Sequence, residues 1–291
     1  MRYNEAIMLY PGASDDSEFH IRFFETQIPF RHREYFEHKH SDFEISLVLS
    51  GSGVYRLGAD VCPFSEGDVF VFGTNVVHCI TDTDACAQTR IATLQFEPRL
   101  IWSPVSGLSG RDHRGLFNGK CERLPKGALS DLISQRILLI RNEATQNKTA
   151  YEIMVKAYLC EIIGALIRDG QGEDALGANE TKREVLLCMD NAMSYISAHI
   201  GEKLTLDSIA KEAGFSRTYF SSLFTSLNGL SPWEYITIRR IEKSKELLRN
   251  TTLPVISIAS QCGFSNLSNF NRMFFRIAGV SPSIYRKNSK K

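Results

Sequence analysis

The sequence predicts a two-domain α+β protein: an N-terminal β-barrel or jelly roll with a helical pair attached, then an all-α domain carrying two helix-turn-helix units. Three observations carry this expectation. Between residues 7 and 102, short runs of β-branched and aromatic residues alternate with glycine-marked turns. The last third, roughly Leu204 to Arg286, states one pattern twice, which marks a supersecondary unit used twice. Charge divides the same way: from Thr181 onward 16 Lys and Arg stand against 8 Asp and Glu, and before it 18 stand against 25. A length of 291 residues with 43% hydrophobic content suits two packed cores. The expected boundaries are 1–125 for the β-domain, 126–169 for the helical pair, 170–180 for a linker and 181–291 for the all-α domain.

In the β-region the runs Glu44 to Leu49, Val54 to Leu57 and Val69 to Phe72 are separated by Gly51-Ser52-Gly53, Gly58 and Glu66-Gly67-Asp68. His38, His40, Glu44 and Gly51 form H-x-H-x3-E-x6-G, and Gly67-Asp68 opens a strand that reaches His78. This spacing resembles the two motifs of the cupin barrels, with Gly73 where that family often has Pro. Residues two apart on a strand share a face, so His38, His40, Asp42 and Glu44 could point inward together, with His78 arriving from a neighbouring strand. Such a set suits Fe, Mn, Ni or Zn. The same side chains suit the hydroxyls of a small polar ligand, or serve as hydrogen-bonded structure at the barrel mouth, and the three readings stay open. The ligand-binding candidates are His38, His40, Glu44, Tyr55 and His78; His38, His40, Glu44 and His78 are the metal candidates if a metal is present. Arg22, Phe24, Arg56 and Trp102 are weaker pocket candidates, and only one of Tyr55 and Arg56 faces inward because neighbours on a strand alternate.

A glycine-rich, loop-like stretch, Ser103 to Pro125, follows. Helical periodicity then predicts Ala128 to Thr145, with Leu129, Leu132, Ile133, Ile137 and Ile140 on one face, and Tyr151 to Arg168, with Met154, Tyr158, Ile162, Ala165 and Leu166. One face of each must cover the barrel. Asp169 to Glu180 is acidic, glycine-bearing and aperiodic, as a linker is.

The repeat reads GFSRTYFSSLFTSLNGLSPWEY from Gly214 and GFSNLSNFNRMFFRIAGVSPSIY from Gly263, with one extra residue early in the second copy. Phe215 answers to Phe264, Phe220 to Phe270, Phe224 to Phe274, Gly229 to Gly279, Pro232 to Pro282 and Tyr235 to Tyr285. Thr205 caps a short helix that ends at Gly214, and Ser216 caps a second whose Phe220, Leu223 and Phe224 form its buried stripe. The second copy repeats this with Ile258, Ala259, Gly263, Ser265, Phe270, Met273 and Phe274. Two helices joined by a short glycine turn form a helix-turn-helix, whose second helix enters the DNA major groove. Ser231-Pro232-Trp233-Glu234 is a capping box that starts a long basic helix through Arg239, Arg240, Lys243, Lys245 and Arg249. About 17 helical residues rise roughly 25 Å, which holds two reading heads near the ~34 Å spacing of successive major grooves. The basic end of the chain is therefore expected to carry the phosphate contacts.

The run Ala259 to Arg286 resembles the signature of the AraC/XylS-type transcriptional regulators, GFS…F…F…G-x-SP-x-x-Y-R. The resemblance implies a ligand-responsive, sequence-specific regulator, more often an activator, with an N-terminal cupin-like sensor and no enzymatic activity. Its base-reading candidates are Arg217, Thr218, Ser221 and Ser222 in the first unit and Asn266, Ser268, Asn269, Asn271 and Arg272 in the second; Thr218 with Ser222 and Ser268 with Arg272 lie four apart on the outward face. Ser222 departs from family members that carry Arg there. Lys211, Arg239, Arg240 and Arg286 are phosphate candidates. The implied partners are operator DNA, a small-molecule effector, a carbohydrate by family habit, a second copy of the chain through the helical pair, and RNA polymerase. No cofactor is expected. The competing class is a metal-dependent cupin enzyme or metal sensor fused to a DNA-binding domain. Seven scattered cysteines without CxxC pairing, no signal-like start and no apolar run approaching 18 residues suggest a reducing cytoplasm and no membrane partner.

Overall fold

Gly51 and Gly53 show why the first strands turn where they do. Gly51 has φ +85° and a Cβ there would lie 2.6 Å from Thr89 Oγ1, while a Cβ on Gly53 would overlap the Asp82 carbonyl and the Phe64 ring. Around this turn the computed structural model builds two antiparallel sheets. Described are residues 21–28, 40–84, 88–103, 117, 120–146, 148–169 and 180–289. The chain divides into two units, Met1–Leu187 and Cys188–Lys291.

In the first unit β1 (Ile21–Ile28), β2 (Phe43–Ser50), β3 (Ser52–Leu57), β4 (Asp60–Ser65), β5 (Val69–Phe72), β6 (His78–Thr83), β7 (Thr89–Phe96) and β8 (Cys121–Arg123) are joined by a one-turn helix α1 (Arg99–Trp102) between β7 and β8. One sheet runs β1-β7-β2-β5-β8 and the other β4-β3-β6. Side chains on a strand alternate faces, and here both faces are covered. Phe43, Ile45 and Leu47 of β2, Val69 and Val71 of β5 and Ala92, Leu94 and Phe96 of β7 pack against the helices α2 (Ala128–Gln146) and α3 (Tyr151–Arg168). The opposite face contributes Val48, Phe70, Phe72 and Ile91, which meet Tyr55 and Phe64 of the second sheet. The site of interest lies on this inter-sheet face.

Two expectations shift by local detail. In α3 the buried stripe is Val155, Leu159, Ile162, Ile163 and Leu166, so Met154 turns outward. Part of the stretch expected as loop pairs instead: β8 adds to the edge of β5 with Phe72 opposite Cys121. The expected linker, 170–180, falls outside the described residues except for Glu180, which opens α4 (Glu180–Ala198). Asp68, in the Gly67-Asp68 turn, is buried; its Oδ2 accepts from the Ser65 amide at 2.9 Å, and Arg123 and Lys126 each approach its carboxylate to 3.4 Å. That turn is an anchor for β4, β5 and β8.

The second unit contains α5 (Leu206–Glu212), α6 (Arg217–Asn228), α7 (Pro232–Asn250), α8 (Val255–Gln261), α9 (Leu267–Ala278) and α10 (Pro282–Ser289). Thr205 with Ser208 and Ser231 with Glu234 form capping boxes at α5 and α7. The helices α6 and α9 both end on a left-handed glycine, Gly229 and Gly279, and the turns inside the two motifs carry one each at Gly214 and Gly263. Phe270, Phe274, Ile258, Ala259, Ile241 and Leu248 form the core joining α7, α8 and α9. No helix among the described residues is long and apolar enough to cross a membrane.

Candidate functional site

β2 brings Glu44 and Ser46 to the inter-sheet face because they are two apart, and its register with β7 sets Gln95 opposite Glu44 and Thr93 opposite Ser46. The result is a buried polar cluster. Ser46 Oγ donates to Glu44 Oε1 at 2.7 Å and Gln95 Nε2 donates to Glu44 Oε2 at 2.8 Å. Ser46 Oγ also lies 3.0 Å from Thr93 Oγ1, and the Tyr55 hydroxyl bonds to Ser46. His40 Nε2 lies 2.9 Å from Glu44 Oε2. His78, at the start of β6, stacks on Phe72 with ring centroids 4.3 Å apart and meets the edge of His40 at 5.1 Å.

The electrostatics follow from burial and these partners. Burial alone would raise the Glu44 carboxyl, but the bond and charge of His40, the charge of His78 and the Gln95 amide hold it well below the usual carboxylate range. Burial would depress the His40 imidazole, yet the bond to Glu44, with the charges of Glu44 and Asp42, raises it above its ordinary value. Tyr55 is pushed well up by burial and by the Glu44 charge. His40 Nδ1 faces the Asp42 carbonyl at 2.8 Å and His78 Nδ1 the Val76 carbonyl at 3.0 Å. A carbonyl only accepts, so each Nδ1 carries a proton, and in the neutral ring the lone pair sits on Nε2.

Of the sequence candidates, His40, Glu44, Tyr55 and His78 come together here; His38 lies outside the described residues. His40 and Asp42 precede β2, which begins at Phe43. Asp42 is turned away to bond Arg22, so it does not join Glu44 as strand alternation suggested. Tyr55 is buried and Arg56 exposed, as alternation requires. Trp102 is fully buried in α1. Sequence reasoning missed Ser46, Thr93 and Gln95. Ser46 was findable two residues beyond Glu44; Thr93 and Gln95 needed the β2–β7 register.

The second unit presents a different surface. The α6 positions Arg217, Thr218 and Ser222 are exposed and Ser221 half-buried, while on α9 Asn266, Ser268, Asn269, Asn271 and Arg272 are all exposed. Arg272 Nη2 donates to Asn269 Oδ1 at 3.0 Å, one turn back on the same helix. The extra residue in the second copy moves the cap from Ser265 to Asn266, whose Oδ1 accepts from the Asn269 amide at 2.9 Å. Its oxygen is thus committed to the helix end rather than to a base. Three of the four expected phosphate cations are committed as well: Arg239 to Glu242 at 3.1 Å, Arg240 to two backbone carbonyls and Arg286 to the Leu253 carbonyl at 2.6 Å. Lys211 is exposed on α5.

Comparison with known proteins gives the same division. Residues 29–163 match the AraC-like ligand binding domain and residues 209–288 a helix-turn-helix domain. The chain is 30% identical over 256 residues to the probable transcriptional regulator LumQ of Photobacterium leiognathi, covering 86% of this chain and 91% of that one. It is 22% identical over 275 residues to the melibiose operon regulatory protein of Escherichia coli, covering 87% and 84%. The crystal structure of an apo ToxT variant from Vibrio cholerae superposes with a TM-score of 0.60 at 14% identity, over 94% of this chain and 98% of that one, a likeness of fold.

Proposed function

The chain belongs to the AraC family of transcriptional regulators, a ligand-binding domain joined to a helix-turn-helix DNA-binding domain, and from that premise we propose how each half works. In the second unit α6 and α9 read bases from two successive major grooves, through Thr218 and Ser222 and through Ser268 and Arg272, with Arg217, Ser221, Asn269 and Asn271 beside them. In the first, a small polar effector binds against His40, Glu44, Tyr55 and His78. A carbohydrate is the proposed class. A carboxylate, imidazoles, hydroxyls and an amide converging on one buried face suit several ligand hydroxyls, and one relative is named for a melibiose operon. The effector acts only as far as it binds one state of the protein better than the other. The protein is proposed to work in the cytoplasm as an activator engaging RNA polymerase.

The observation that carries the sensor reading is the buried Glu44 cluster itself, since a β-domain needs no buried carboxylate to pack. Its test is a thermal-shift screen of mono- and disaccharides on the full chain, followed by isothermal titration. Saturable binding by a sugar, absent with an equally hydrophilic polyol of the wrong stereochemistry, is the expected result. No response to any sugar sinks the carbohydrate assignment.

One observation favours a second reading. Ligand atoms of His40, Glu44 and His78 all lie within 4.8 Å of one another, and both imidazoles hold their outer N–H on a backbone carbonyl, the arrangement usual for metal-ligating histidines. A 2-His-1-carboxylate set suits Fe, Mn, Ni or Zn. Elemental mass spectrometry on protein purified without a metal-affinity column separates the readings: about one equivalent of metal per chain, lost in His78→Ala, favours a metal sensor or cupin enzyme.

A homodimer through α3 completes the proposal. Its outward face carries Ile153, 69% exposed, then Ala157, Cys160 and Gly164 at spacings of four, three and four. A Cβ on Gly164 would meet nothing within 4 Å. An antiparallel two-fold midway between Ala157 and Cys160 sets Ile153 of each copy over Gly164 of the other and Lys156 opposite Glu161. Replacing Ile153 by Asp is therefore expected to weaken dimerisation by at least about tenfold, read by sedimentation equilibrium, and unchanged association would exclude α3 as the seam.

A further inference from the structure

Arg240 stands near the middle of α7, the helix that separates the two helix-turn-helix units, and its half-buried guanidinium is held by backbone carbonyls. Nε donates to the Ile200 carbonyl at 2.9 Å and Nη2 to the Glu202 carbonyl at 2.6 Å, in the loop that leads into α5 and the first helix-turn-helix. The same group lies 6.0 Å from the centroid of the Phe264 ring, in the turn of the second helix-turn-helix. Gly263, in that turn, has φ +77°, and a Cβ there would sit 2.7 Å from the guanidinium. A separate backbone approach closes the same junction: a Cβ on Gly201 would lie 2.6 Å from the Gln261 carbonyl, at the end of α8.

We infer that Arg240 is a positioning residue, clamping the leading loop of the first helix-turn-helix to the turn of the second, and that this clamp with the Gly201–Gln261 approach fixes the spacing at which one chain reads DNA. A 19-residue helix, about 28 Å long, sets the distance between the two helix-turn-helix motifs but leaves each free to rotate about its own end of α7. Rotation about either end would carry the loop at Ile200–Glu202 away from the turn at Gly263–Phe264, so a contact between those two segments removes that freedom. Carbonyl oxygens and an aromatic face hold a planar guanidinium well, and lysine cannot reproduce the fork. With the junction closed, α6 and α9 present themselves at one separation. DNA of another spacing must then bend or untwist to be read at both grooves, at an energy cost. Specificity would thus include spacing as well as bases.

The test uses the full chain and a duplex that the wild-type protein selects from a random library, footprinted to locate the two groove contacts of one chain. Affinities are compared on that duplex, on versions with one base pair inserted or removed between the contacts, and on a version cut to the α9 contact alone. The variants are Arg240→Lys, which keeps the charge a phosphate contact would need, and Gly201→Ala, which leaves every charge in place. Both are expected to weaken the selected duplex by about tenfold, to change the single-contact duplex by less than about twofold, and to shrink the penalty for altered spacing. Equal losses on all duplexes would make Arg240 an ordinary DNA or folding contact. A wild-type spacing penalty in Gly201→Ala would overturn the clamp independently of how Arg240→Lys folds.

Discussion

Glu44→Gln is expected to destabilise the first unit by about 3–5 kcal/mol near pH 5.5, the usual cost of removing one partner from a buried ion pair. The Glu44 side chain is 6% exposed and that of His40 14%, so solvent offers little screening. Glutamine keeps the shape but brings an N–H donor group to a position where Gln95 Nε2 and His40 Nε2 both need an acceptor. The effect should depend on pH with a definite sign. Because His40 is raised above its ordinary 6.5, its contribution is fully present below that value and is lost as pH rises through the higher folded one. Because Glu44 is lowered from 4.5, its contribution is present above 4.5 and is lost only as pH falls through the lower folded value. As pH rises through the folded His40 value, the gap between wild type and Glu44→Gln should therefore narrow towards the ~1–3 kcal/mol of unmade hydrogen bonds alone. Urea unfolding in a Trp233→Phe background, followed by the fluorescence of buried Trp102, measures it. A gap independent of pH would show that His40 and Glu44 do not form an ion pair in the fold.

What the sequence made legible was whatever depends on local chemistry. Thr205, Ser216, Ser231 and the four left-handed glycines of the second unit announce helix ends through their own backbone preferences, so the repeated units could be read before any tertiary contact was known. Runs of β-branched and aromatic residues set between glycine turns likewise marked β2, β3 and β5. Reading stopped where an outcome depends on another segment. His40 looked like a strand residue sharing a face with Asp42, but β2 starts later and Arg22 draws Asp42 aside. The buried stripe of α3 was displaced because Met154 and Val155 are both apolar and only packing against the sheet chooses between them. Arg239 and Arg240 of α7 read as phosphate contacts, whereas Arg240 is taken up by carbonyls 38 and 40 residues away in sequence. A charge seen in sequence carries no label for the partner that neutralises it.

Arg272→Ala should cost about 1–3 kcal/mol, roughly 5- to 150-fold, at one base pair of the recognised site and little elsewhere. Arg272 and Ser268 are four apart on the exposed face of α9, and the Arg272 side chain is steadied by Asn269 Oδ1 at 3.0 Å, which orients the guanidinium fork. An arginine so presented midway along the exposed face of a recognition helix matches the two acceptors of guanine in the major groove. The equivalent pair on α6 is Thr218 with Ser222, short side chains that reach a base edge less far, so most of the discrimination should lie under α9. Two variants measured against a panel of single-base substitutions test this asymmetry: Arg272→Ala should flatten the preference at one position, and Ser222→Ala should move no position by more than about 1 kcal/mol. If Arg272→Ala instead weakens every duplex alike and lowers the salt dependence by about one phosphate contact, the residue grips the backbone and the reading of α9 falls to Ser268, Asn269 and Asn271.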